Sequence, residues 1–252
     1  MKYLLANWKM YTTAIEAVAL FAEIQQGLRE RADRGGRFPL PIICPPFLSL
    51  VPIRALMDHD LVRLGAQNCH WEAEGPYTGE ISPTMLSDVA DYVLIGHSER
   101  RAAGETDEQI TRKVRAAAEA GLRPILFVGE DEPTDAAALE TEARLAVGVS
   151  SLDLAKHPVL VVYEPTWAVG ADRPAEAGHV QEMVEHLKGK LAELGASDPE
   201  VIYGGTVTGD NIDQFAALEV LDGVGATRAS LDAQEFLEML DRLGRRRAAT
   251  AG

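Results

Sequence analysis

Four short stretches carry polar side chains where apolar runs end. Asn7 and Lys9 follow Tyr3–Ala6, and His97-Ser98-Glu99 follows Tyr92–Gly96. Glu164 follows Val159–Tyr163, and Tyr203-Gly204-Gly205-Thr206 closes a run that starts at Val201. Together they suit proton transfer next to a carbonyl group. A carboxylate at the end of an apolar run, sheltered by a closing loop, is desolvated into a stronger base. An imidazole and an ammonium facing the carbonyl oxygen stabilise a developing enediolate. The stretch Pro165-Thr166-Trp167 followed by Ala168-Val169-Gly170 reads as a lid with a stiff hinge and a light tip. Nucleophilic and metal mechanisms fit less well, because no Ser or Cys sits beside an obvious base and no His/Asp/Glu cluster has metal-ligand spacing.

Each residue alone has an ordinary reading. Glu164 can be a solvated loop carboxylate or helix cap, His97 a hydrogen-bonded structural residue, Lys9 a surface cation, and Gly204-Gly205 turn glycines. The chemistry requires all of them at the same end of one set of strands.

The elements that must position them are eight short runs: Tyr3–Asn7, Leu40–Cys44, Val62–Gln67, Tyr92–His97, Pro124–Gly129, Val159–Glu164, Val201–Gly205 and Asp222–Thr227. Most lack polar/apolar alternation, as expected of parallel strands covered by helices. Helical spacing separates them, as in Ala175–Leu194, where Val180, Met183, Val184, Leu187 and Leu191 recur. A strand every thirty residues or so matches a βαβ unit. No glycine-rich phosphate motif follows the first strand, which weighs against an open doubly wound sheet. Eight units without a Pro/Gly/Ser linker predict one α/β domain over residues 1–252, a (β/α)8 barrel with its active site at the C-terminal strand ends. Residues 245–252, starting with Arg245-Arg246-Arg247, are expected to be a solvated helix end and a frayed tail. Asn7 and Lys9 share a face if the first strand stays extended that far.

The 39 acidic and 24 basic residues give a net charge of −15, which offers no general attraction to nucleic acid or anionic membrane. A small phosphorylated metabolite remains compatible with it. The two cysteines, Cys44 and Cys69, form no C-x-x-C pair, so a reducing, cytoplasmic setting is expected. No stretch approaches the ~20 apolar residues of a membrane span.

With these residues in view, the chain resembles the triosephosphate isomerase family over nearly its whole length. The motifs are Asn7-Trp8-Lys9-Met10, Gly65-Ala66-Gln67-Asn68, Thr78-Gly79-Glu80-Ile81-Ser82, Gly96-His97-Ser98-Glu99-Arg100-Arg101, Tyr163 to Gly170, and Tyr203-Gly204-Gly205. That family is itself the reference case of a glutamate base with a neutral histidine and of a closing lid, so these roles come with the resemblance. It implies a TIM barrel and the interconversion of dihydroxyacetone phosphate and D-glyceraldehyde 3-phosphate through an enediolate, in glycolysis and gluconeogenesis. Glu164 would take the proton, His97 would shuttle one between the substrate oxygens, and Lys9 would stabilise the oxyanion and phosphate, with Asn7 as a donor. Ser98 and Glu99 would lie behind them, and Gly170 and Thr206 would meet the phosphate. No metal or organic cofactor is implied. A homodimer is, with the loop 68–82 entering the neighbouring subunit and Thr78 approaching Asn7 of the partner subunit. The alternative is that Trp71 and Tyr77 fold this loop back on its own barrel.

Departures from the family pattern cluster near the phosphate end. Thr227-Arg228 stands where two glycines usually precede Ala-Ser-Leu, and a Cβ at each narrows the approach of the phosphate. Arg228 either replaces lost amide contacts, fills the pocket, or points to solvent. Tyr11, Phe127 and Thr206 stand for the usual Asn, Cys and Ser, and Ala171-Asp172-Arg173 replaces a Thr-Gly-Lys-like hinge. Asp172 adds charge near the phosphate or caps a helix starting near Pro174. These changes leave two alternatives to a triose phosphate isomerase: an isomerase of another small sugar phosphate such as a tetrulose phosphate, and a non-catalytic barrel.

Overall fold

The computed structural model describes residues 1–171 and 173–249, with the side chains of 245–249 excepted. Eight parallel strands close into a barrel in sequence order: β1 (Tyr3–Asn7), β2 (Leu40–Cys44), β3 (Arg63–Ala66), β4 (Tyr92–Ile95), β5 (Arg123–Val128), β6 (Leu160–Tyr163), β7 (Glu200–Tyr203) and β8 (Gly223–Ala226). Pairing of Tyr3 with Gly223 completes the ring. The helices are α1 (Ala14–Asp33), α2 (Phe47–Arg54), α3 (Pro83–Ser87), α4 (Ser98–Ala102), α5 (Asp107–Glu119), α6 (Ala137–Val149), α7 (Ala177–Glu193), α8 (Ile212–Ala216) and α9 (Ala233–Ala249). A Thr13–Glu16 capping box starts α1 and a Thr106–Gln109 box starts α5, each pairing a side chain with otherwise unmet backbone donors.

Side chains alternate inward and outward along each strand. Leu5, Ile42, Leu94, Ile125, Phe127, Leu160, Val162 and Ile202 pack inside the barrel. Their neighbours Leu4, Ala6, Val93, Ile95, Leu126, Val161, Val201 and Val224 form the larger core beneath the helices. A strand buried on both sides therefore reads as an unbroken apolar run. At the N-terminal end the inward positions turn ionic: Glu200 accepts from Tyr3 Oη (3.1 Å), Lys2 Nζ (2.8 Å) and Arg123.

Six strands differ from their sequence-based limits. The polar residues at their C-terminal ends lie just beyond the ladders: β4 stops at Ile95, not His97, β6 at Tyr163, not Glu164, and β7 at Tyr203, not Gly205. Likewise β3 stops at Ala66, β5 at Val128 and β8 at Ala226, while β5 and β7 each start one residue earlier. The ladder ends where the chain must leave it to turn over the barrel mouth. The backbone of α9 continues through Arg245–Arg247 to Ala249; residues 250–252 lie outside the described residues. No helix among the described residues is long and apolar enough to cross a membrane.

Candidate active site

Alternation explains two of the site residues directly. The inward series Tyr3–Leu5 continues to Asn7, and Leu160–Val162 continues to Glu164. Both side chains reach the barrel mouth, and Glu164 is only 4% exposed. Lys9 arrives differently from the extended-chain expectation. Its φ is +49°, so the strand has already turned. That left-handed conformation costs about 1–3 kcal/mol in a non-glycine residue. Two hydrogen bonds hold it: Lys9 N donates to Asn7 Oδ1 (3.0 Å), and Gln67 Nε2 donates to Lys9 O (2.8 Å).

His97 also needs a break in alternation. Ile95 faces outward, so an extended chain would point His97 the same way. Gly96 at φ +76° redirects it, a conformation that a side chain rarely adopts. Glu105 accepts from Gly96 N at 3.2 Å, and Arg101 Nε donates to Gly96 O at 3.1 Å. Glu105 is in turn paired, fully buried, with Lys113.

Glu164 Oε1 lies 3.2 Å from His97 Nε2, and its other oxygen accepts from Ser98 N at 2.9 Å. His97 Nδ1 accepts from Glu99 N at 3.2 Å, so the neutral ring carries its proton on Nε2, facing Glu164. Burial first, with the ring of Phe127 at 4.9 Å, and then the Lys9 ammonium push the His97 pKa down to about 4, with Glu99 opposing. Burial pushes Glu164 up to about 7, against the Ser98 hydrogen bond and Lys9. Near neutral pH the pair is therefore an uncharged imidazole beside a carboxyl group poised to gain or lose a proton. Lys9 Nζ is held 2.7 Å from Glu99 Oε1.

These groups open onto one cleft of about 470 Å³. Its far side comprises Gly170, Thr206, Thr227 and Arg228. Gly170, at φ +69°, is exposed at the end of the segment expected to be a lid, whose first part, Thr166–Ala168, is a 3₁₀ turn. Thr206 Oγ1 is spent on Ala168 O at 3.0 Å, tethering the lid. Arg228 is exposed and has no carboxylate partner among the described residues. Thr227 has φ −107°, so the pair replaces the expected glycines without positive-φ strain. No group of three His, Cys, Asp or Glu side chains among the described residues could hold a metal ion.

The family model described as triosephosphate isomerase matches residues 2–243. The chain belongs to the triosephosphate isomerase family. Triosephosphate isomerase from Chloroflexus aurantiacus is 42% identical over 227 residues, covering 86% of this chain and 89% of the relative. That of Trichodesmium erythraeum is 39% identical over 220 residues, covering 86% and 88%. The crystal structure of triosephosphate isomerase from Bartonella henselae superposes with a TM-score of 0.83 at 28% identity, covering 96% of this chain and 98% of that one.

Two details differ from the sequence reading of this triosephosphate isomerase family chain. Helix α7 starts at Ala177, after Glu176, rather than near Pro174, and Asp172 lies outside the described residues. Trp71 and Tyr77 both pack back on buried His70, with ring centroids 4.2 and 4.3 Å away, and Arg112 lies over Trp71 at 4.6 Å, while residues 73–80, Thr78 among them, stay exposed. Sequence reasoning gave Gln67 no role, although it lies in a quoted motif, and it missed Glu105 with Lys113, and Glu130. Glu130 follows Gly129 directly beyond β5, so its strand-end position was the available signal.

Proposed function

We propose that this chain interconverts dihydroxyacetone phosphate and D-glyceraldehyde 3-phosphate, with Glu164 as base, His97 as neutral acid and Lys9 as the oxyanion's cation. The observation that carries the assignment is the Glu164–His97 contact inside a cleft shared with Lys9. Glu164 takes a proton from C1 of the ketone. The C1–H electron pair becomes the C1=C2 bond, and the carbonyl pair moves onto O2, beside Nε2–H of His97 and the ammonium of Lys9. His97 passes a proton to O2 and recovers one from O1, and Glu164 returns its proton to C2. Asn7 donates to the substrate, Ser98 and Glu99 orient Glu164 and Lys9, and Gly170, Thr206, Thr227 and Arg228 surround the phosphate. The place of Arg228 in the cleft lining, with no carboxylate partner among the described residues, supports phosphate binding by its guanidinium.

The test is turnover of both triose phosphates by the purified chain and its Glu164→Gln variant. Loss of orders of magnitude in kcat with the fold retained is expected; unchanged turnover removes Glu164 from the role. A large kcat/KM preference for a tetrulose phosphate would instead identify a different sugar phosphate isomerase.

A homodimer is part of the same reading. Met10 (97% exposed), Ile15 (84%) and Leu48 (84%) lie on the loops and helices after β1 and β2, and the loop carrying Thr78, after β3, is exposed as well. Large exposed apolar side chains and a long exposed loop suit burial against a second copy. Sedimentation of the parent as a dimer, and of Thr78→Arg as a monomer, is the expected outcome; a monomeric parent would refute it.

A further inference from the structure

We infer that Phe127 is a positioning residue for His97: its ring, projecting from the strand between those that lead to His97 and Glu164, fixes the plane of the imidazole and with it the aim of Nε2. The inference rests on the role of His97 in the proposed isomerase.

Three strands meet at this point. Ile95, the last residue of β4, pairs with Leu126 of β5, so Gly96 and His97 leave the ladder beside Phe127. On its other side Phe127 pairs with Val162 of β6, and Val162 shares the inward face that continues to Glu164. Phe127 itself points inward, is buried and lines the cleft. It meets the His97 segment twice. A Cβ added to Gly96 would lie 3.3 Å from the Phe127 carbonyl oxygen, so the backbone of β5 abuts the turn that aims His97. Beyond that turn the Phe127 ring lies 4.9 Å from the imidazole, centroid to centroid, with the two planes 56° apart. Tilted rings at this distance attract, the positive edge of one meeting the negative face of the other.

The imidazole needs such a support. Its outer torsion has a broad, roughly two-fold profile, so the side chain does not set its own plane. Its two polar contacts, Glu99 N to Nδ1 and Nε2 to Glu164 Oε1, are both 3.2 Å, the long end of the normal range. The second is given up when a substrate oxygen takes the Nε2–H. One hydrogen bond and the Phe127 ring then hold the plane. Half a turn of the imidazole would put carbon atoms where both nitrogens stand, and the proton would face neither substrate oxygen. The same ring keeps water from one side of His97, in keeping with the downward shift that burial imposes on its pKa. Cysteine, the usual residue of the family here, has no ring to offer, so this support is a feature of the present chain.

Phe127→Leu keeps most of the apolar bulk and removes the ring. Should it not fold, Phe127→Met, with its more adaptable chain, takes its place. The readouts are kcat and KM on both triose phosphates, and the NMR signals of the His97 ring nitrogens in protein carrying isotope-labelled histidine near neutral pH. Loss of those signals in His97→Gln assigns them. The parent should show one protonated nitrogen, Nε2, and one unprotonated, Nδ1. In Phe127→Leu the two signals should draw together or double, as flipped rings and the other tautomer become populated. Its kcat should fall about threefold to tenfold, the worth of one aromatic pair, with KM unchanged. A His97 spectrum identical to the parent's would overturn the role, and so would an unchanged kcat or a rise in KM in place of the fall in kcat. The nitrogen signals are read without substrate, and Glu164→Gln tests the isomerase reading separately, so the two ideas fail by different results.

Discussion

Replacing Glu164 by Gln should stabilise the protein progressively as pH rises, although it removes the proposed base. The carboxyl group is 4% exposed, and burial raises its pKa from 4.5 to about 7. A carboxyl group raised in the folded state favours folding while protonated, and that contribution is lost as pH climbs from about 4.5 through about 7. Glutamine has no charge to desolvate, so the variant escapes the loss. Between pH 5 and pH 8 the linkage integral over this shift gives about 2–3 kcal/mol, at 1.36 kcal/mol per pH unit. Steric or hydrogen-bonding penalties, such as an amide NH₂ meeting the Nε2–H of His97, do not depend on pH and cancel in the comparison. For a chain of this size the variant-minus-parent difference in Tm should grow by about 5–10 °C over that interval. Thermal unfolding of both proteins at half-unit pH steps measures it. A difference that stays constant from pH 5 to pH 8 would show that Glu164 is not desolvated as its surroundings require, and the argument for its basicity would fail with it.

Other outcomes follow from the same geometry. The value of kcat/KM, corrected for ionisation of the substrate phosphate near pH 6, should rise about tenfold per pH unit up to about pH 7 and then level off; a flat profile over pH 5–8 would contradict a carboxylate base with that pKa. Arg228→Gly should raise KM for triose phosphates about tenfold at low salt and less at high salt, whereas a lowered KM would show that Arg228 obstructs the phosphate. Lys113→Met leaves buried Glu105 without its counter-ion and should cost about 3–5 kcal/mol by denaturant titration. Because Glu105 holds Gly96, the loss should be accompanied by a fall in kcat; a cost below about 1 kcal/mol would refute the pairing's importance.

The sequence made the barrel legible because parallel strands buried on both faces leave unbroken apolar runs at regular intervals. It also made Asn7 and Glu164 legible, since each continues the inward alternation of its strand. His97 and Lys9 were identifiable by type and motif, but their orientation was not. Each depends on a positive φ, at Gly96 and at Lys9 itself, which no periodicity encodes. The contact of Phe127 with His97 was illegible for another reason. It joins the ends of two neighbouring strands, and a bulky residue within an apolar run carries no local signal of its partner. Limits of the strands failed for a physical reason: the polar residues proposed to do the chemistry sit where the backbone leaves the ladder.

The ionic layer of Lys2, Tyr3, Arg123 and Glu200 plugs the floor of the barrel, and the apolar layers above it fill the shaft. Among the described residues, Glu164 is reached from the cleft at the top of the barrel, an opening that a substrate would share with bulk water. In the proposed isomerisation, whether hydrogen abstracted from C1 reappears in the product or is washed out by solvent would depend on how long that opening stays shut, so isotope retention becomes a clock for the proposed lid.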